Sequence, residues 1–186
     1  MTPQRKDAAR NWDRITTVAR ELVDEGTPLQ LNDVARRAGL GVGTVYRHFP
    51  TTEALLETVA TPCLEALADH GRQALADDDA WHAFSTFLTQ LVEAQVTDPA
   101  LAKVSATASD VLPRTTELKR QIIAIGTELV TRARATGTVR PDLADGDLVP
   151  LMCGISYATY VHSETPADRL PTARRYLDTL LRGLGT

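Results

Sequence analysis

Residues 31–49 read LNDVARRAGLGVGTVYRHF, and this stretch predicts two short helices joined by a glycine turn. Apolar residues recur at i, i+3, i+4 and i+7 in each half, as on one face of a helix. Gly39 stands where the first helix has to end, because a residue without a Cβ readily adopts a positive φ. We expect a helix-turn-helix whose second helix enters a DNA major groove. The apolar positions are Leu31, Val34, Ala35 and Ala38, then Val42, Val45, Tyr46 and Phe49.

Residues 31–49 have two alternative interpretations. The glycine-rich run at residues 39–43 is similar to the glycine-rich turns that bind dinucleotides. Such a turn follows a strand, lies in a βαβ unit and has an acidic residue about 20 positions later. Here a helical pattern precedes the run and no strand pattern follows it. A plain helical hairpin without a role in DNA binding is the second alternative. The sequence favours the helix-turn-helix over both.

Residues 41–51, followed by Glu53-Ala54-Leu55-Leu56, resemble the DNA-binding end of TetR-family transcriptional regulators. An upstream apolar stripe that ends at Gly26 fits the same family, so the resemblance covers roughly residues 10–60. The remainder is similar to the family only in its helical layout. The resemblance implies an all-α protein with a three-helix helix-turn-helix DNA-binding domain at residues 1–51. A helical ligand-binding and dimerisation domain is expected at residues 52–186.

The resemblance also implies roles for individual side chains. Thr44, Tyr46 and His48 match the family's phosphate-anchoring positions. Val42, Gly43 and Arg47 are expected to face base edges, and only Arg47 can make a bidentate contact to guanine. Either Gln30 or Asn32 is expected to cap the preceding helix and reach a phosphate. Two departures, Gln30 for the usual Thr and Thr52 for the usual Lys, predict modest affinity or a greater contribution from the basic N-terminal arm.

Composition and charge agree with a DNA-binding N-terminal end. The chain has 186 residues, 43% of them hydrophobic and 24% charged, which is ordinary for a soluble globular protein. Its net charge is −4, but eight Lys/Arg against six Asp/Glu give +2 up to Pro50, and twelve against eighteen give −6 beyond it. The N-terminal excess is small, so it supports DNA binding only weakly. The basic residues of this end include Arg5, Lys6, Arg10, Arg14, Arg36, Arg37 and Arg47.

The sequence predicts a cytoplasmic protein without membrane segments. The uncharged run from Leu148 to Val161 is too short to cross a bilayer and contains Pro150 and Gly154, so we expect a buried helix. No signal peptide opens the chain. Cys63 and Cys153 form no CxxC pair, and we expect both to be reduced thiols in the core.

Helices are predicted along the rest of the chain. One begins near Thr52, and Pro62 within it predicts a kink or a short break. Asp77-Asp78-Asp79 precedes the next helix and complements its dipole, although a cation site is an alternative. A short helix to about Ser109 and a long one from Thr115 to Gly137 follow.

The last two helical segments are expected to form the dimer. Residues 147–162 are apolar nearly all round, and a helix without a polar face has to be covered on every side. TetR-like proteins dimerise through a four-helix bundle of their last two long helices, which implies that a second copy supplies part of the cover. A purely internal core helix is the alternative. The predicted dimerisation residues are Ile155, Leu177, Leu180 and Leu181.

No residue pattern indicates catalysis, a metal site or a cofactor. The histidines His48, His70, His82 and His162 have no second ligand at i+3 or i+4, and Ser105, Ser109 and Asp110 form no nucleophile motif. Apolar pockets with a few polar groups suit small ligands, and aromatic and soft side chains of the C-terminal part predict such a pocket. Each of them singly is also compatible with plain core. The predicted ligand-binding residues are Trp81, Phe84, Phe87, Met152, Tyr157 and Tyr160, with His162 beside them.

Together these features predict a homodimeric transcriptional regulator, a repressor released from a pseudo-palindromic operator by a small-molecule effector. The expected partners are double-stranded DNA, an effector of unknown identity and a second copy of the chain. A non-regulatory nucleoid-associated or scaffolding dimer is the alternative from another class. An enzyme on the same helical frame is the weakest interpretation.

Overall fold

The computed structural model describes residues 3–186, with side chains from Lys6 onward. Within that range the chain forms nine α-helices and one isolated antiparallel bridge, between Val139 and Gly185. The all-α class is therefore confirmed. None of the helices in the described range is long and apolar enough to cross a membrane. The helices are α1 (Pro3–Asp24), α2 (Leu31–Ala38), α3 (Val42–His48), α4 (Thr52–Leu75), α5 (Ala80–Thr97), α6 (Pro99–Ser105), α7 (Pro113–Ala135), α8 (Leu148–His162) and α9 (Pro166–Leu184).

The helices divide into two compact units. One unit contains the chain up to Pro62 together with Asp98–Thr115, and the other contains Cys63–Thr97 and Thr116–Thr186. The first unit is thus discontinuous, because α6 belongs with α1–α3 and the first half of α4. The domain boundary expected between residues 51 and 52 stays a prediction.

The glycine turn between α2 and α3 forms as the sequence predicts. Gly39 ends α2 with φ 62°, and its N–H donates hydrogen bonds to the carbonyl oxygens of Ala35 and Arg36. All four apolar residues of α2 are buried. In α3 the predicted apolar face is only half right, since Val45 and Phe49 are buried whereas Val42 and Tyr46 are 46% and 47% exposed.

Helix α4 runs through Pro62 without a break. Its start is capped by the Thr51 hydroxyl, which accepts a hydrogen bond from the Ala54 N–H at 3.1 Å. The predicted short break at Pro62 is therefore wrong, whereas the alternative of a kink stays a prediction. Proline removes one donor, but the neighbouring turns of a 24-residue helix maintain their own hydrogen bonds.

The acidic run before α5 acts as a helix cap. Asp79 accepts the backbone N–H of His82 at 2.9 Å, and Asp77 accepts the N–H of Asp79 at the same distance. The following short helix ends at Ser105, earlier than the Ser109 predicted. Helix α7 ends at Ala135, and Gly137 adopts φ 72° just beyond it.

Helix α8 is much more exposed than the sequence predicts for a buried helix. Within the single chain Tyr157 is 72% and Tyr160 is 66% exposed, and Val161 lies beside them in solvent. Leu148 and Met152 are buried. Cys153 is exposed on the same helix, so the prediction that it is a core thiol is wrong, and Cys63 is half-buried. The physical reason is that α8 packs on α5 and α9 along one side only.

Candidate nucleic-acid interface

The exposed side of α3 is the centre of the candidate interface. Val45 lies within this seven-residue helix and Phe49 directly follows its last residue. Both anchor the helix in a core shared with α1 and α2. The opposite side presents Val42, Gly43 and Tyr46 to solvent. Among the described residues, no atom outside the backbone of α3 and the glycine's chain neighbours lies within 4 Å of the position that a Cβ on Gly43 would take, so the surface there is open to close approach.

Arg47 lies on this exposed side, folded along its own helix. Its Nε donates a hydrogen bond to the Gly43 carbonyl oxygen at 3.0 Å. The bond is solvent-exposed, so water competes for both groups and its net contribution to stability is small. The guanidinium can therefore leave it for a stronger acceptor.

The structure places the remaining predicted contact residues around the same helix. Gln30 occupies the position before α2, but its side chain makes no capping hydrogen bond, so the expectation of a Gln30 side-chain cap is wrong. Only its carbonyl is used, by the Val34 N–H at 3.0 Å. The side chains of Gln30 and Asn32 are exposed, and those of Thr44, His48 and Thr52 are half-buried.

Acidic neighbours offset part of the basic charge of α2. Arg36 pairs with Asp33 at 2.8 Å, and Arg37 pairs with Glu25 at 2.5 Å. The hydrogen bond from Arg37 holds the pKa of Glu25 below its usual value. Lys6, Arg10 and Arg14 are exposed on α1, whereas the side chain of Arg5 lies outside the described residues. Exposed basic side chains are thus found on α1 and α3 as well as on α2.

Trp12 and Arg14 are two features of α1 that the sequence analysis did not assign to the site. The Trp12 ring is half-exposed and its centroid lies 6.3 Å from that of Phe49. The Arg14 guanidinium lies over the turn, 3.2 Å from where a Cβ on Gly39 would be. Trp12 precedes Ile15 by three positions, so the apolar stripe of α1 could have identified it.

The six predicted ligand-binding residues do not line one pocket, although the Trp81 and Phe84 rings lie 6.2 Å apart between centroids. Phe84, Phe87 and Met152 lie in closed core, and the packing is so tight that a Cβ on Gly71 would lie 3.0 Å from the Phe87 ring. Tyr157 and Tyr160 are exposed on α8, which leaves them out of the core. His162 packs instead against the Tyr176 ring, at 6.2 Å between centroids.

Trp81 is the member of that set that borders a groove. The groove lies between α5 and α9 and has a volume of about 590 Å³. Its lining combines an indole with hydroxyl, amide and charged groups, which could bind a small ligand with both aromatic and polar parts. The lining residues are Trp81, Ser85, Thr86, Thr89, Gln90, Asp178, Leu181, Arg182, Gly185 and Thr186.

The predicted dimerisation residues also separate. Leu177 is only 3% exposed and belongs to the core of its own chain, so the prediction that it faces a partner is wrong. Ile155, Leu180 and Leu181 are half-buried, and Leu181 borders the groove. The leucines of α9 lie along one stripe of the helix, and their spacing alone does not tell whether that stripe packs within its own chain or against a second copy.

The described residues contain no group of three or more metal-ligating side chains. His82 is instead paired with Asp77, Nδ1 to Oδ2 at 2.6 Å. This hydrogen bond and the carboxylate's charge raise the pKa of His82. The same bond and the Asp79 N–H lower the pKa of Asp77. The pair joins the start of α5 to the loop before it.

Family models match both parts of the chain. The model described as "Transcriptional regulator SbtR-like, C-terminal domain" matches residues 79–186, more than half of the chain. The model "Bacterial regulatory proteins, tetR family" matches residues 15–59, which include α2 and α3.

Curated relatives and solved structures agree with these models. An HTH-type transcriptional regulator of Staphylococcus aureus strain USA300 is 32% identical over 101 residues, which are 52% of this chain and 54% of the relative. The chain thus spans about half the length of the curated relatives it matches. A TetR regulator of Streptomyces coelicolor has TM-score 0.59 at 28% identity, covering 94% of this chain and 98% of the other. One from Mycobacterium vanbaalenii has TM-score 0.55 at 29% identity, covering 99% and 100%.

A more distant structure shares the fold alone. It is a tetR-family regulatory protein of Rhodococcus RHA1, with TM-score 0.69 at 18% identity over 94% of this chain and 97% of the other. The family models, the relatives and the helix-turn-helix geometry agree, and the chain belongs to the TetR family of DNA-binding transcriptional regulators.

Proposed function

We propose that the chain is a homodimeric repressor that binds a pseudo-palindromic operator and leaves it when a small molecule binds. The observation that carries this proposal is the open outer side of α3, anchored by Val45 and Phe49 and presenting small, apolar and basic groups together. A helix of that kind can approach base edges closely without a steric penalty. The general role, regulation of transcription by binding DNA, is that of the family.

Base readout is assigned to Val42, Gly43 and Arg47. Arg47 exchanges its 3.0 Å bond to the Gly43 carbonyl for two bonds to guanine O6 and N7. Val42 offers an exposed apolar contact of the kind that suits a thymine methyl group. The phosphate contacts are assigned to Thr44, Tyr46, His48, Thr52 and one of Gln30 and Asn32.

The dimer is proposed to form through the exposed side of α8. Exposed aromatic and aliphatic side chains adjoin one another there, on a helix without charged residues from Leu148 to Val161. A two-fold interface of this kind would place two copies of α3 on one operator, in major grooves one helical turn apart. Ile155 and Leu180 are the predicted interface residues that remain compatible with it.

The groove beside Trp81 is proposed as the place where an effector binds. The trial ligands are single-ring phenols, added to a Trp12→Phe variant in which Trp81 is the only remaining tryptophan. Quenching of its emission, lost when Thr89→Phe fills the groove, supports an effector site there. Quenching that survives Thr89→Phe places the ligand elsewhere.

Genome-wide mapping of bound sites tests the proposal against the scaffolding alternative. A repressor gives discrete sites that share an inverted repeat, and an added effector empties them. A scaffolding dimer gives broad coverage without a preferred sequence. Broad coverage in wild type, unchanged by Arg47→Ala, would reject the proposed function.

A further inference from the structure

The DNA-binding unit contains a segment that is distant in sequence, residues 98–115. Ala100 and Val104 of α6 are fully buried in the same core as Ile15, Val45 and Phe49. Val45 and Phe49 are the residues that anchor α3. The packing that holds the recognition helix therefore includes residues from outside the N-terminal sequence.

Arg20 fastens the beginning of this segment. Its two terminal nitrogens donate to the Asp98 carboxylate at 2.9 and 3.1 Å, and one of them also donates to the Val59 carbonyl at 2.8 Å. Asp98 in turn caps α6, accepting the N–H groups of Ala100 and Leu101. Burial opposes ionisation of Asp98, but the bonds from Arg20 and the two amides outweigh it and lower its pKa. One guanidinium thus joins α1, α4 and α6.

Glu57 fastens the end of the segment. This residue of α4 is only 4% exposed, and its two carboxylate oxygens accept the N–H groups of Val111 and Leu112 at 2.6 and 2.8 Å. A buried carboxylate is costly unless it is hydrogen-bonded, and a well-packed apolar residue is often as stabilising. The carboxylate is thus suited to fixing a position rather than to adding stability.

We propose that Glu57 and Arg20 are positioning residues for operator binding, which hold residues 98–115 against α1 and α4 and so fix the orientation of α3. This inference rests on the proposed sequence-specific function. Loss of either contact leaves the exposed basic side chains of α1 and α2 in place but loosens the core under Val45 and Phe49. Operator affinity then falls, whereas binding to unrelated DNA, which depends on phosphate charge, changes little.

The test uses the full chain with Glu57→Gln and Asp98→Asn. A glutamine amide can accept from only one of the two N–H groups, because its nitrogen is a donor. Asparagine caps a helix as well as aspartate does, so Asp98→Asn removes the ion pair with Arg20 and preserves the α6 cap. Glu53→Gln is the control, since Glu53 is exposed one turn earlier on α4.

Two readouts are compared: amide hydrogen exchange, and affinity for a duplex selected from a random pool against a scrambled duplex. Both variants should raise exchange in α3 and lower affinity for the selected duplex about tenfold, while the control and the scrambled duplex stay unchanged. Faster exchange confined to residues 98–115, with wild-type affinity, overturns the inference. Global unfolding of both variants also overturns it. Should no duplex be selected, the proposed function fails, and exchange in α3 still decides the positioning role.

Discussion

Helices α3 and α8 both expose large hydrophobic side chains, yet their surroundings differ. Val42 and Tyr46 of α3 stand beside Arg47 and His48, on a seven-residue helix in the more basic part of the chain. Tyr157 and its neighbours on α8 adjoin no charged residue of their own helix before His162, although the guanidinium of Arg169 of α9 lies 4.5 Å from the centre of the Tyr160 ring. Exposed apolar surface on a basic helix suits the thymine methyl groups and phosphates of DNA, whereas a larger apolar surface on a helix without charged residues suits another protein. The difference predicts which face binds which partner.

The largest expected effect comes from placing a charge on the α8 face. Tyr157→Glu should convert the dimer into monomers and lower operator affinity at least about 100-fold, because two linked half-site contacts become one. Light scattering and a binding titration on the selected duplex measure the two changes. Ile123→Glu, which charges an exposed hydrophobic of α7, is the matched control and should leave both unchanged.

A monomeric wild-type protein at micromolar concentration would contradict the assignment of α8. So would a Tyr157→Glu protein that stays dimeric, since Tyr157 is the most exposed large hydrophobic of that face.

The next effect tests the α3 face. Arg47→Ala should cost on the order of 1–3 kcal/mol on the selected duplex and little on a scrambled one, because a bidentate guanine contact is lost. Thr44→Ala should weaken both kinds of binding alike, as expected for a phosphate contact. Fluorescence anisotropy at fixed salt measures both. Equal losses on the two duplexes for Arg47→Ala would remove it from base readout.

A smaller effect concerns the helix whose two halves belong to different units. Pro62→Ala in α4 restores a backbone donor to a helix that is already continuous, so it should raise the free energy of unfolding by roughly 1–3 kcal/mol. Because the helix is stiffer, an effector should also lower the operator affinity of this variant less than that of the wild type. Urea denaturation measures the first change. An unchanged or lower stability would show that α4 depends on the proline geometry.

The smallest effect lies away from both faces, at the His82–Asp77 pair. Asp77 raises the pKa of His82 in the folded protein above 6.5. The pair therefore stabilises the fold fully below pH 6.5, and this stabilisation is lost as the pH rises through the folded pKa. His82→Ala should therefore lower Tm more at about pH 5.5 than at about pH 8.5. An equal loss at both pH values would mean that the pair does not form. Operator affinity should not change.

The local pattern predicted α2, the turn at Gly39 and the helix α3, because short-range spacing determines them. It did not predict that Leu177 is internal, because the spacing of the apolar stripe of α9 does not tell whether its own chain or a second copy covers it. It also missed Glu57 and the Arg20–Asp98 pair, whose partners lie 54 to 78 positions away in sequence. Side chains joined across such distances leave no periodic signal.

Selection of duplexes from a random pool by the full-length protein tests the central claim most directly. The expected product is an inverted repeat whose half-sites are centred about 10 base pairs, or a multiple of that, apart, bound by an even number of chains. Arg47→Ala should relax the sequence at one guanine in each half-site. A pool that shows no enrichment, or a single half-site bound by one chain, would contradict recognition by paired α3 helices.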